Sequence, residues 1–370
     1  MSDGEAGRTT ALAVLHRELG ARLVPFAGYA MPLQYEGGIR QEHLHTRRAA
    51  GLFDVSHMGQ IIIESELDAL ETLVPSDIAG LALWRQRYSL LTDDDGGIRD
   101  DLMITRLPER LFVVANAAFK HDDFAHLAAG LGTGCRVTLA EDRALLALQG
   151  PAAAAVLGAL EPELATMPFM SARECRLAGS ACLVNRCGYT GEDGFEIALA
   201  AADAEGLARC LLADERVAPV GLGARDSLRL EAGLCLSGTD IDATTTPVAA
   251  DLAWTIARKY RDGSAAARFP GAATIVAELA AGTPRVRVGL APLGRVPLRA
   301  ETELVDTAGR VVGTVTSGSF GASVGHPVAM GYVDRAVARA GTRLEVAIRD
   351  RRHDVEVRTL PFVPHRYYRG

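Results

Sequence analysis

Nothing in this 370-residue chain has the spacing of a metal or redox centre. Its six cysteines (135, 175, 182, 187, 210 and 235) contain no Cys-x-x-Cys pair, and its nine histidines no His-Glu-x-x-His or zinc-finger spacing. Neither a disulfide framework nor a metal site is expected. His43 and His45 would share one face of a strand, but without a third ligand they read as two interfacial or surface histidines. No Gly-x-Gly-x-x-Gly or Walker sequence follows a strand, so dinucleotide and ATP cofactors are disfavoured; Gly221-Leu-Gly-Ala-Arg lacks the third glycine and reads as a turn into a helix. An excess of basic charge is missing too. With 39 Lys and Arg against 46 Asp and Glu, the net charge of -7 argues against nucleic acid as a partner.

Long apolar runs are also absent. The most apolar stretch, Ala144 to Leu160, is broken by Gln149, Gly150 and Pro151, and reads as a strand, a turn and an Ala-rich helix beginning at proline; no membrane span is expected. The start, Met1-Ser-Asp-Gly-Glu, carries acids where a secretory or mitochondrial leader carries Arg or Lys, so a cytoplasmic location is expected. No internal repeat, heptad or low-complexity tract emerges.

What the chain does have is apolar material, 48% of its residues, enough for two or three domains with large cores. From Gly59 to Gly134 the pattern predicts a strand (Gln60–Glu64), a helix (Glu66–Val74), a strand pair (Gln86–Thr105), a strand (Leu111–Ala115) and a helix (Lys120–Gly130): one antiparallel sheet covered by helices. From about Arg143 to Ile256 strands and helices mix, with an Asp203-initiated helix carrying Leu207, Leu211 and Leu212 on its apolar side. Beyond a linker at Lys259–Arg268 and a further helix, short strands are expected at Arg285–Leu290, Glu303–Asp306, Val311–Thr316, Val328–Val333, Leu344–Ile348 and Asp354–Leu360.

Several residue groups can carry chemistry. Asp93-Asp94-Asp95-Gly96-Gly97 reads as a hairpin connection with a tight primed turn. On the returning strand, alternation puts Asp100 with Leu102 and Ile104, and Asp101 with Met103 and Thr105 on the other face. The two carboxylates should point apart, which makes them poor candidates for a proton-sharing dyad. They read as sheet-edge acids, at most one of them catalytic. Gly188-Tyr189-Thr190-Gly191-Glu192-Asp193-Gly194-Phe195-Glu196, followed at Gly221 by Gly-Leu-Gly-Ala-Arg-Asp-Ser-Leu-Arg-Leu-Glu-Ala-Gly, has the make-up of a small-molecule site: glycines that let backbone turn or approach a ligand, a carboxylate in an apolar strand, and an arginine opening a helix. Glu196 and Ala198 face away from Phe195, Ile197 and Leu199, so Glu196 is either an exposed acid or a ligand contact. Arg225 begins an apparent helix with Asp226 suited to its start, and a surface salt bridge is its plain alternative. Tyr88, Asn116, Tyr189 and Tyr367 divide between packing or capping and ligand contact, and His57 between a base and a structural histidine.

These blocks, together with Phe26-Ala-Gly-Tyr-Ala-Met-Pro, Phe53-Asp54-Val55-Ser56-His57-Met58, Leu148-Gln-Gly-Pro, Thr314-Val-Thr-Ser-Gly and Met330-Gly-Tyr-Val, resemble the aminomethyltransferase family, which includes the T-protein of the glycine cleavage system. The resemblance runs along nearly the whole chain. It implies an α+β fold, a three-domain cloverleaf around a central folate channel, with antiparallel sheets and helices and a mostly-β C-terminal barrel or jelly-roll-like domain. Residues 1–55 and 140–260 would form a discontinuous first domain with the folate-site motifs, 56–139 an inserted α+β domain carrying Asp101, and 275–370 the C-terminal β domain. The family's essential acid falls on Asp101, its folate-binding glutamate on Glu196 and a substrate-binding arginine on Arg225, while Tyr88, Asn116, Tyr189 and Tyr367 match positions near the ligand.

The implied reaction passes a one-carbon unit from the S-aminomethyl-dihydrolipoyl group of a lipoylated carrier protein (H-protein) to tetrahydrofolate, the acceptor substrate, with release of ammonia and without a metal or nucleotide cofactor. Two alternatives are a non-catalytic folate-binding member, whose Lys-Gly-Cys-Tyr-x-Gly-Gln signature is missing here, and a folate-dependent demethylase. The chain departs from the family pattern at Tyr29, a usual tryptophan position, at Ser237, which would leave a gap or admit water, and in the loop Gly321-Ala-Ser-Val-Gly-His.

Overall fold

The computed structural model describes residues 7–348 and 351–370. A six-stranded sheet runs in the order Ser171–Leu177, Ser180–Arg186, Gly194–Ala200, Arg143–Gln149, Ala50–Asp54 and Val217–Pro219. Only its last pair is parallel. One face, with Leu146, Leu148, Phe195, Ile197 and Leu199, closes on the helices Ala153–Leu160 and Ala204–Leu212. The opposite face, with Leu145, Ala147, Leu183 and Ala198, packs on Phe112, Val114 and Leu228 from a second sheet and the helix Leu222–Glu231. Strand alternation puts Glu196 on this second face, inside the protein, where it is 8% exposed. The exposed reading of Glu196 is thereby removed.

The second sheet is antiparallel, in the order Gln86–Thr92, Ile98–Leu107, Arg110–Ala115, Gly59–Glu64 and Arg136–Leu139. Ile61, Ile63, Leu102, Ile104 and Val113 cover one face beneath Leu127 of the helix Lys120–Leu131. The expected helix Glu66–Val74 is a short 3-10 helix, Leu67–Thr72. The expected tight turn at Asp93–Gly97 is instead a wider loop: only Gly96 has a left-handed φ (+93°), and Asp93 Oδ1 accepts from the N–H groups of Asp95 (3.0 Å) and Gly97 (2.8 Å). An aspartate that hydrogen-bonds its own turn replaces the paired glycine geometry.

The edges of the two sheets meet. Gln86 N–H donates to the Met170 carbonyl at 2.9 Å, Arg85 bridges to Ser171, and Thr105 Oγ1 donates to Asn185 Oδ1 at 2.9 Å. Six further strands form a closed barrel, in the order Arg285–Pro292, His326–Asp334, Val311–Gly321, Glu303–Val305, Arg343–Ile348 and Arg351–Arg358, filled by Leu290, Leu304, Val312, Val346 and Val357. Closure leaves the barrel without a free edge. After it the chain returns to the first sheet: Arg366 N–H donates to the Gly191 carbonyl (2.8 Å) and Phe169 N–H to the Tyr368 carbonyl (2.8 Å).

Two local expectations are corrected. His43 and His45 lie on a helix, Gly38–Arg48, where positions two apart are about 200° apart around the axis. His43 turns inward, 2.6 Å from Ser227 Oγ, and His45 reaches the Ala50 carbonyl at 3.1 Å. Arg225 does not open its helix, which starts at Leu222 behind the cap residue Gly221; Asp226 sits in its second turn and accepts from Arg229 at 2.8 Å.

Candidate active site

Asp101 and Asp100 leave opposite faces of the strand Ile98–Leu107, as alternation requires, yet they share one partner. The neighbouring strand pairs with theirs only from Leu102 opposite Ala115 onward, so beyond that point the edge is open and Asn116 occupies it. The Asn116 side-chain amide donates to Asp100 Oδ1 and to Asp101 Oδ1, each at 2.8 Å, and its backbone N–H donates to Asp100 Oδ2 at 3.1 Å. Ser237 Oγ also donates to Asp100 Oδ1, at 2.6 Å. The departure at Ser237 thus supplies a hydrogen bond in place of the expected gap. Asp123, buried on the helix beside this group, has an Oδ2 with no partner among the described residues. Burial first and the Asp100 charge second push its carboxyl well up, which favours its protonated form.

Burial and then the Asp100 charge also push Asp101 up, to about 7, against the hydrogen bonds of Asn116 and Tyr88. A carboxyl balanced near neutrality can both take and return a proton. Tyr88 lies on the neighbouring strand, diagonal to Asp101 on the same face, and stacks at 5.4 Å on Trp254, which is 60% exposed.

Glu196 sits opposite. Among the described residues its one side-chain hydrogen bond comes from the Cys187 thiol, Sγ to Oε2 at 3.5 Å. Burial raises its proton affinity and the charge of Arg225 lowers it, with burial the stronger. The Arg225 guanidinium lies over the Tyr189 ring, 4.8 Å from its centre, and its buried Nη1 has no hydrogen-bond partner among the described residues. Burial depresses the Arg225 pKa and Glu196 partly restores it. An acid and a base that feel each other without closing into an ion pair leave hydrogen-bonding capacity for something else.

Tyr189 links the two sides. Its hydroxyl donates to the Cys235 carbonyl, and it feels the charges of both Asp101 and Arg225. Its loop needs glycine at Gly191, where φ is +77° and a Cβ would press on Ala232. Tyr367 stacks on Phe169 at 4.1 Å, close to Cys187 and hence on the Glu196 side.

The structure therefore gathers Asp101, Asn116, Tyr88 and Tyr189 on one side, and Glu196, Arg225 and Tyr367 on the other. Gln86, Cys187, Asp123 and Trp254 join them without having been singled out in the sequence. A recess of about 590 Å3 lined by Arg8, Tyr29, Gln60, Lys120 and Arg143 contains none of these residues. Within the group, Gln86, Asp123 and Arg225 keep buried polar atoms with no hydrogen-bond partner among the described residues, as do His57, His126 and Glu192 elsewhere. His57 is buried between the two regions. Burial drives its pKa down to about 4, which makes it a weak proton acceptor at neutral pH, and Lys120 donates to its carbonyl (2.9 Å) and to the Tyr29 hydroxyl (2.7 Å). Tyr29 thus fills its departing position as a lysine partner.

Known proteins agree with this architecture. The family description "GCVT N-terminal domain" matches residues 12–260, and "Glycine cleavage T-protein C-terminal barrel domain" matches residues 285–364. The mitochondrial aminomethyltransferase of Gallus gallus is 45% identical, covering 98% of this chain and 94% of its own length; that of Homo sapiens is 44% identical, covering 98% and 92%. A crystal structure of the glycine cleavage system aminomethyltransferase T from Bartonella henselae superposes with a TM-score of 0.92 at 46% identity, over 98% of this chain and 99% of that one. Among the described residues no helix is long and apolar enough to cross a membrane. The chain belongs to the glycine cleavage T-protein family.

Proposed function

We propose that the chain is a tetrahydrofolate-dependent aminomethyltransferase of the glycine cleavage system, and that Asp101 and Glu196 act on one reduced pterin. The carbon of an S-aminomethyl-dihydrolipoyl arm, presented by a lipoylated carrier protein, forms bonds to N5 and N10 of tetrahydrofolate. Its bonds to nitrogen and sulfur break, releasing ammonia, the dihydrolipoyl thiol and 5,10-methylenetetrahydrofolate. The observation that carries this reading is the contrast across Tyr189 between a carboxyl raised to about 7 and a buried carboxylate whose only donor among the described residues is a thiol.

Glu196 is suited to accept paired N–H donors from the pterin edge, a charge-assisted contact of about 1.5–3 kcal/mol. Arg225 Nη1 is free to donate to an oxygen of the same ligand. Asp101, steadied by Asn116, orients the folate amines and takes the protons they lose, while Tyr88 and Tyr189 frame the ring and Tyr367 bounds the Glu196 side. Alignment supplies much of the rate, since a well-held pair of reactants gains roughly 7–11 kcal/mol over free ones.

Turnover of an aminomethyl-loaded carrier protein with tetrahydrofolate tests the reading, with 5,10-methylenetetrahydrofolate and ammonia as expected products. Turnover of sarcosine or dimethylsulfoniopropionate in its place would assign a demethylase. A cytoplasmic location belongs to this proposal, and cell fractionation tests it against the mitochondrial location in the relatives' names.

A further inference from the structure

Gln86 is buried, 4% exposed, and neither its Nε2 nor its Oε1 finds a hydrogen-bond partner among the described residues. Leaving buried amide groups unsatisfied costs about 1–3 kcal/mol each, so the position calls for a reason. Gln86 lies opposite Thr105 and shares the strand face of Tyr88, the face that also bears Asp101. On its other side is the Cys187 thiol, near but not aligned for a hydrogen bond, and that thiol donates to Glu196. The amide thus stands between the Asp101 side and the Glu196 side, and the Arg225 charge acts on the same Cys187 thiol.

A ligand that satisfies this set must offer donors to Glu196 and both an acceptor and a donor to a primary amide. A reduced pterin carries a ring carbonyl and several N–H groups around one edge, which meets that demand. We propose that Gln86 is a substrate-recognising residue that hydrogen-bonds the reduced pterin ring beside Glu196. This rests on the folate reading above and adds to it a residue that selects the ring by its mixed donor and acceptor edge. The unsatisfied amide is a folding cost that the ligand relieves.

Gln86→Met, close in volume and unbranched, separates this role from a structural one, with Gln86→Leu as a second variant. Tetrahydrofolate binding without the aminomethyl donor is measured by anaerobic calorimetry, alongside the melting temperature of the ligand-free protein. The expected result is a Kd raised about ten- to hundredfold, the range for losing a hydrogen bond to a buried partner, with a ligand-free Tm unchanged or higher. A Kd within about twofold of the parent protein, or a ligand-free Tm that falls in both variants, overturns the inference. Glu196→Ala measured in parallel separates the two levels. If it weakens binding while both Gln86 variants bind normally, only the Gln86 role fails; if the parent protein binds no tetrahydrofolate, the functional reading fails with it.

Discussion

Glu231 and Glu196 are the same residue type at similar depth, yet their surroundings treat them in opposite ways. Glu231 accepts from Arg47 at 3.1 Å and from the Ser323 backbone N–H at 2.8 Å, and His43 Nε2 lies 3.1 Å away. Burial works against its ionised form, but the His43 and Ser323 contacts win and bring it down to about 2. Arg47 also donates to Glu192 at 3.0 Å, which ties the first sheet to the barrel loop holding Ser323. Glu196 has a thiol donor and the charge of a guanidinium that forms no ion pair with it, and burial wins. The helix Leu222–Glu231 contributes to both clusters, Glu231 to the first and Arg225 to the second. A buried charge that the fold satisfies holds layers together; one that the fold leaves wanting is prepared for a visitor.

The largest expected effect falls on the ligand-facing side. Asp101→Asn should lower turnover about 10²- to 10⁴-fold while tetrahydrofolate affinity stays within a few-fold, and near-normal turnover would remove the role given to Asp101. Next comes Glu231→Gln, which removes a charge that Arg47 is built around and should cost about 3–5 kcal/mol in denaturant unfolding at pH 7. Because the folded pKa of Glu231 is depressed, its stabilisation is present above the unfolded value and lost as pH falls toward about 2, so the gap between variant and parent should close over that acid range.

The same substitution at Glu196 sharpens the contrast. Glu196→Gln should leave stability at neutral pH unchanged or improved, because its raised pKa makes the ionised form a burden there, yet it should weaken tetrahydrofolate about tenfold. A melting temperature that drops as far as for Glu231→Gln would erase the distinction between the clusters. The smallest effect is a shift in pH dependence. If Asp101 takes protons as a carboxylate, kcat should fall as pH drops through about 7, and Asp100→Asn, by removing the neighbouring charge, should move that limb about one unit lower.

Legibility in the sequence followed apolar patterning closely. The six barrel strands, the helix at Lys120 and the strand holding Glu196 all follow from alternation or helical spacing of apolar residues, and each is present with ends shifted by a few residues. The helix Gly38–Arg48 failed that test because its buried positions are Glu42, His43, Thr46 and Arg47, a polar face turned inward that no hydrophobic period reveals. Gln86 escaped for the same reason, a polar residue at an inward strand position. Asp101 and Glu196 stand out through the family resemblance, whereas alternation alone favours a sheet-edge acid at the first and an exposed acid at the second. What joined them was the meeting of two sheet edges at Gln86 and Met170, a contact between residues 84 positions apart that no local pattern encodes.

The return of residues 366–368 across the Gly191 loop has a consequence for how the site comes into being. Nearly every wall of it is made from the first two thirds of the chain, but Tyr367 and the bond to Gly191 arrive only after the whole barrel has been synthesised. Both sheets are complete in sequence well before the Tyr367 stack on Phe169 and the Arg366 bond to Gly191 can form, so this corner of the molecule is closed by the last residues the ribosome delivers.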